Sequence, residues 1–297
     1  MGKNYRDRTT LEALLQRFHG RTSHVAKFCN VKPSTIIYWC KRHGITYCTD
    51  PGRPRFDMLE KSLQEFPSFS PTKIEGSFLV ISDIHIPFYD MTWLERSLET
   101  AKDEHIKDVI IAGDFFDAKS VSSYTCLDKE HTLLRELQIG RDFFYEYLDE
   151  FRNVYMIPGN HDQRIAKYMN GELTLDFFFT WMCPDKKLHI SDFPFLIANE
   201  TWRISHPGNY SRIPGMIPRK LSEKHHMNTM CGHTHYTSFC KDVSGTYECY
   251  EIGCLTDRTK TEYLFMLDKN NPVWNNGFAT LKKDKATLYH EGNWTNV

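Results

Sequence analysis

Val154-Tyr155-Met156-Ile157-Pro158-Gly159-Asn160-His161-Asp162 decides the reading of this sequence. An apolar run ends at Ile157, Pro158-Gly159 breaks it, and chemistry-bearing side chains follow at once. Such a stretch puts Asn160 and His161 at the carboxyl edge of a sheet, where open α/β sheets carry their sites. Four other stretches share that form: Asp83-Ile84-His85, Gly113-Asp114-Phe115-Phe116-Asp117, Ser205-His206-Pro207-Gly208 and Gly232-His233-Thr234-His235. Each stands where a predicted strand ends, a placement that scattered, solvent-facing histidines would not share.

Around these motifs the pattern alternates strand and helix. Residues 78–81, 109–112 and 154–157 read as buried strands by their continuous apolar runs. Helices are expected over 91–104, 128–151 and 216–227. Residues 195–204 read as one or two strands and 229–231 as a short one. Residues 247–255 and 278–290 read as hairpin strands, with Lys282-Lys283-Asp284-Lys285 at a turn. The aromatic segment 176–181 reads as core.

Asp83-x-His85 on an extended backbone points both side chains the same way, and His233-x-His235 repeats the arrangement. Each pair then reaches one ion. Mixed imidazole, carboxylate and amide ligands suit Mn, Fe, Zn or Ni better than an all-oxygen Mg site. Two divalent ions ~3.5–4 Å apart activate a shared water and clamp phosphate oxygens, and the leaving alkoxide needs a proton donor. His206 is singled out by its place in the series, with His189, His225 and His226 as rivals. Asp162 reads as a helix cap, with support of a ligand as the alternative, and Asp117 as a partner to a histidine or a cap on its loop.

The five blocks, in order, resemble the calcineurin-like metallophosphoesterases, whose pattern is D-x-H, GD-x-x-D, GNH[D/E], a lone His and GH-x-H. The resemblance implies an α/β fold: a β-sandwich flanked by helices, in four layers (αββα). It also implies a dinuclear centre, with manganese the favoured metal. Asp83, His85 and His235 would hold one metal, Asn160, His206 and His233 the second, and Asp114 would bridge them. His161 would stand free of the metals near the scissile phosphate, oriented by Asp117. The protein-phosphatase form is absent, since Ala118 rather than Arg-Gly follows Asp117. DNA-directed phosphodiesterase chemistry is expected, the alternative being a nucleotidase or cyclic-nucleotide phosphodiesterase. Tyr124 and Arg212 are substrate-loop candidates.

The 297-residue chain is unevenly charged. Residues 1–56 carry 11 Lys+Arg against 3 Asp+Glu, a balance of +8, and the rest carry 26 against 35, a balance of −9. A basic module joined to an acidic one points to nucleic-acid contact by the first. Three short helices are expected there. Thr9 and Glu12 form a capping box for the first, which Gly20 stops. Ser23 caps the second, which ends at Asn30, and Pro33 opens a third that runs to His43 and closes at Gly44. Ile36, Trp39 and Cys40 form one apolar stripe, leaving Ser34, Thr35, Tyr38, Lys41 and Arg42 largely on the other side. The segment resembles homeodomain-like helix-turn-helix domains of recombinases, transposases and phage proteins, on Val25-Ala26, Val31, Thr35-Ile36 and Trp39. Pro51-Gly52-Arg53-Pro54-Arg55 is similar to the minor-groove arm of invertase-type recombinases, though here it follows the helices; Arg53 and Arg55 suit a narrow A·T groove.

The expected organisation is a helix-turn-helix domain over 1–50, a basic linker over 51–76 that includes a connecting helix over 57–66, and a catalytic domain over 77–297. Composition is 40% hydrophobic and 25% charged, ordinary for a soluble chain. No apolar run approaches the ~20 residues of a membrane span. Nine cysteines without a C-x-x-C pair suggest reduced thiols and a cytoplasmic setting, and the domain pairing resembles phage or mobile-element proteins.

Overall fold

The computed structural model describes residues 4–47, 68–122, 132–170, 172, 174–182, 187–262, 264 and 274–292. The chain divides into two compact units, Met1–Phe69 and Ser70–Val297.

The first unit holds three helices, α1 (Arg8–Arg17), α2 (Thr22–Cys29) and α3 (Pro33–His43). Leu11 and Leu15, one turn apart on α1, pack with Val25, Ala26, Ile36 and Cys40 into a small buried core. Two starts differ from expectation. Asp7 caps α1 by accepting from the Thr10 amide at 2.9 Å, so Thr9 and Glu12 lie inside the helix and no capping box forms. An Asp carboxylate just upstream serves the first-turn amides as well as a Thr hydroxyl would. Helix α2 begins at Thr22, one residue before the expected cap Ser23, and has no side-chain cap. Its end at Asn30 and that of α3 at Gly44 are as expected, both residues taking the left-handed conformation. The expected connecting helix over 57–66, with Arg53 and Arg55, lies outside the described residues.

The second unit is built on two six-stranded sheets. One runs β12-β11-β2-β3-β4-β5, from β2 (Ser77–Ile81), β3 (Asp108–Ile111), β4 (Asn153–Met156), β5 (Leu188–Ile190), β11 (Gly277–Lys282) and β12 (Lys285–His290). The other runs β1-β6-β7-β8-β10-β9, from β1 (Lys73–Ile74), β6 (Phe195–Ala198), β7 (Trp202–Ser205), β8 (Asn228–Cys231), β9 (Thr237–Lys241) and β10 (Glu248–Ile252). Strands β2, β3, β4 and β5 are parallel, as are β7, β8 and β10. Phe78, Val80, Ile110 and Ala112 from the first sheet meet Trp202, Ile204, Met230 and Ile252 from the second in one buried cluster, so the sheets face each other.

On its other face the first sheet packs against α4 (Met91–Asp103), α5 (Leu133–Glu146) and α7 (Leu175–Met182). Phe178 and Phe179 of α7 are buried there, as expected of the aromatic segment, whereas Phe177 is exposed. Helix α8 (Met216–His225) lies on the second sheet against β8 and β10. These are the four expected layers. The helix expected over 128–151 is shorter, with Thr132 capping α5 and a separate 3-10 turn at Leu148–Glu150; residues 123–131 are not described. Strands β1, β5 and β9 were not expected, being two to five residues long and half-exposed where described. No described helix is long and apolar enough to cross a membrane.

Candidate metal centre

Five loops leave the carboxyl ends of β2, β3, β4, β7 and β8 and carry the five sequence motifs. Parallel pairing aligns those ends, which is why residues far apart in the chain meet. The loops are stitched together by main-chain bonds: the Asp83 amide donates to Gly113 O at 3.0 Å and the His85 amide to Asp114 O at 3.1 Å. Gly159 allows close approach of the next loop, since a Cβ there would lie 2.1 Å from Asp114 Oδ1.

The backbone at the expected ligand positions is not extended. Asp83, His85, Asp114, His233 and His235 all have positive φ, between 49° and 79°. Left-handed non-glycine residues cost on the order of 1–3 kcal/mol each and persist where surroundings over-determine them. The side chains converge because these turns aim them inward, not because a strand alternates.

Three groups of donors result. In the first, Asp83 Oδ1 lies 2.9 Å from His235 Nε2 and 3.8 Å from His85 Nε2, and the two imidazole nitrogens are 3.2 Å apart. Asp83 Oδ1 is buried and, despite its closeness to His235, has no hydrogen bond of acceptable direction. In the second, His206 Nε2 lies 3.2 Å from Asp114 Oδ2 and 3.1 Å from Asn160 Oδ1, with the His233 ring 5.0 Å from that of His206. Asp114 Oδ2 is also 3.8 Å from His85 Nε2, so one carboxylate stands between both groups. Donors on one first-row ion at about 2.1 Å sit roughly 3 Å apart, and lone pairs facing a common point fit cations.

The third group is His85, Asp117 and His161. The expected pairing of Asp117 with His161 forms, but mainly through the main chain. His161 Nδ1 lies 2.8 Å from the Asp117 carbonyl oxygen and 3.3 Å from its carboxylate. That carboxylate sits closer to His85 Nδ1, at 2.9 Å, and fixes the ring whose other nitrogen faces Asp83.

Electrostatics favour cations here. Burial works to raise the carboxyls of Asp83, Asp114 and Asp117, yet the facing histidines hold all three well below the usual carboxylate range. His85 is pushed up to about 10: burial opposes its charge, and hydrogen bonds to Asp117 and Asp83 outweigh it. His206 rises to about 9 against burial, through Asp114. His233 falls to about 4 through burial and the neighbouring His206. The pocket thus draws positive charge onto two of its own imidazoles.

The calcineurin-like phosphoesterase profile matches residues 76–263, more than half the chain and every loop just described. The chain belongs to the calcineurin-like phosphoesterase family. No curated protein matches the sequence. Among solved structures, an archaeal phosphodiesterase is 15% identical, with 72% of this chain and 99% of that one covered at a TM-score of 0.40. Pseudomonas putida nuclease MPE is 15% identical, covering 68% and 83% at 0.34. A dimetal phosphatase from Danio rerio is 11% identical, covering 74% and 96% at 0.37.

In this phosphoesterase the rivals to His206 stand elsewhere: His189 stacks on Tyr155, and His225 and His226 lie at the end of α8. Asp162 is no simple cap. Its buried carboxylate accepts the Gly159 amide at 2.9 Å and those of Phe115 and Phe116 at 3.3 and 3.0 Å, latching the Asn160 loop to the Asp114 loop. Arg212 is exposed. Its neighbour Tyr210 meets Tyr236, beside His235, through the two hydroxyls. Tyr124 lies outside the described residues. Three nearby residues were missed. Arg164 touches His161; its signal was helical spacing from a motif histidine. Trp274 packs edge-on to His235 with ring centroids 3.8 Å apart. Glu251, buried in β10, accepts from Thr234 between the paired histidines. Nothing local in the sequence marks either of the last two.

Proposed function

We propose that this phosphoesterase hydrolyses phosphodiester bonds of DNA, with the catalytic unit cutting and the three-helix unit holding the duplex. The observation that carries the chemistry is Asp114, whose one carboxylate stands between two groups of imidazole and carboxylate donors. In this reading Asp83, His85 and His235 hold one divalent ion, Asn160, His206 and His233 the other, and Asp114 both. The pair of ions supplies Lewis acidity and a nucleophile at neutral pH. His161 is held by Asp117 at the edge of the centre, where a proton can be passed to the leaving oxygen. Asp162 keeps the two ligand-bearing loops in register.

The DNA assignment is supported by the +8 balance of residues 1–56 and by α3, where Ser34, Tyr38, Lys41 and Arg42 are exposed and Thr35 is half-buried. Purified protein loaded with Mn²⁺ is to be assayed on single- and double-stranded DNA beside a panel of nucleotides. Metal-dependent DNA cleavage, lost in Asp114→Asn, is the expected result. Turnover confined to nucleotides would replace this reading with that of a nucleotidase or cyclic-nucleotide phosphodiesterase.

A further inference from the structure

We propose that Arg164 is a phosphate-binding residue of this centre, its guanidinium lying on His161 in the free protein and passing to a phosphoryl oxygen when substrate arrives. The proposal rests on reading the site as a phosphoesterase centre but not on DNA as its substrate.

Arg164 sits on helix α6 (Asp162–Tyr168), one turn past His161. Its Nη2 lies 3.0 Å from His161 Nε2 and its Nη1 donates to the Asp117 carbonyl at 3.1 Å. A guanidinium has five donors and no acceptor, so the imidazole nitrogen must accept. His161 Nε2 therefore carries no proton while Arg164 is bound to it, and Nδ1–H donates to Asp117 O. This arrangement suits a resting site. It does not suit proton delivery from Nε2, so Arg164 must let go before His161 acts.

The charge on Arg164 is also poorly answered. Both of its acceptors are uncharged, an imidazole nitrogen and a carbonyl oxygen, and no described carboxylate forms an ion pair with it. By contrast Arg152 is bound to Asp108, Arg219 to Glu223 and Arg258 to Glu291. Arg164 is half-buried, so water answers its charge only in part. A half-buried guanidinium on neutral acceptors gains when a dianionic or monoanionic phosphate offers it two oxygens, because its planar fork matches that geometry. His161 Nε2 lies 4.0 Å from Asp114 Oδ2, so a phosphate reaching the shared carboxylate's side of the centre is within reach of Arg164.

The experiment uses the full-length, metal-loaded protein and inorganic phosphate as probe. Calorimetry gives phosphate affinity for wild type, Arg164→Gln and His161→Ala, with metal content measured on each. Arg164→Gln should retain its metals and bind phosphate about tenfold or more weakly, since it cannot offer a charged two-point grip. His161→Ala should lose less phosphate affinity than Arg164→Gln, and the reverse order would assign the grip to His161 and overturn the proposal. Unchanged affinity in Arg164→Gln would overturn the proposal and leave Arg164 as a support for His161 alone. Arg164→Lys covers the case in which the neutral variant fails to fold. It keeps the charge but not the fork, so weaker binding than wild type is expected and equal binding overturns the two-point grip. A protein that binds phosphate through Arg164 yet cuts no DNA would keep this inference and remove the DNA reading.

Discussion

At the scale of single residues, the centre is assembled by approaches too close to tolerate change. Gly159 is the clearest case. A methyl group there would lie 2.1 Å from Asp114 Oδ1 and 2.2 Å from its amide nitrogen, so backbone and carboxylate would have to move together. Gly159→Ala should therefore lower metal stoichiometry below that of wild type and abolish turnover, while the far-ultraviolet circular dichroism stays native. Full metal content in that variant would show that Asp114 is held by something other than this packing. The left-handed turns at Asp83, His85, Asp114, His233 and His235 belong to the same scale. Their strain is absorbed by main-chain bonds between neighbouring loops and by the Asp162 carboxylate, which leaves three buried amides satisfied.

At the scale of elements, parallel strands deliver loops to one edge, and α3 presents a polar face. Lys41 and Arg42 are exposed on its last turn, where Arg42 also lies over the Trp39 ring at 5.1 Å. If α3 meets DNA phosphates, replacing both by Ala should weaken duplex binding across all sequences alike. The salt dependence should fall too, the slope of log affinity on log salt dropping by about 0.9 for each phosphate no longer neutralised. Fluorescence anisotropy at several salt concentrations reads both effects. An unchanged slope would remove α3 from the interface. Cleavage of a small model diester should be untouched, since neither residue belongs to the centre.

At the scale of the whole molecule, the metals are expected to govern stability. Imidazoles must be neutral to ligate, yet in the metal-free pocket His85 and His206 stay charged up to about 10 and about 9. Their folded values lie above the unfolded one, so the stability they add is complete below about 6.5 and is lost as pH rises through the folded values. Protons compete with metal in the same interval. Metal loading near neutral pH should release protons, and the rise in Tm on adding Mn²⁺ should grow between about pH 6.5 and about pH 8.5. Thermal melts with metal and with chelator, at several pH values, measure this. A metal-induced shift that shrinks with rising pH would mean that these histidines are not ligands.

The five motifs, their order and most strands and helices of the second unit were legible in the sequence, because each is a local pattern: an apolar run, a break, then chemistry-bearing residues. The family followed from those motifs. Short edge strands such as Lys73–Ile74 and Leu188–Ile190 were not legible, since two or three residues carry no period to read. Nor were the left-handed turns, the Asp162 latch or the grip of Arg164 on His161. These depend on which loops the parallel register brings side by side, and that is settled by long-range packing of two sheets rather than by neighbours along the chain. The sequence by itself determined the five motifs and the family, because each motif is local; only the tertiary structure decided how their side chains face one another, because long-range packing sets which loops meet.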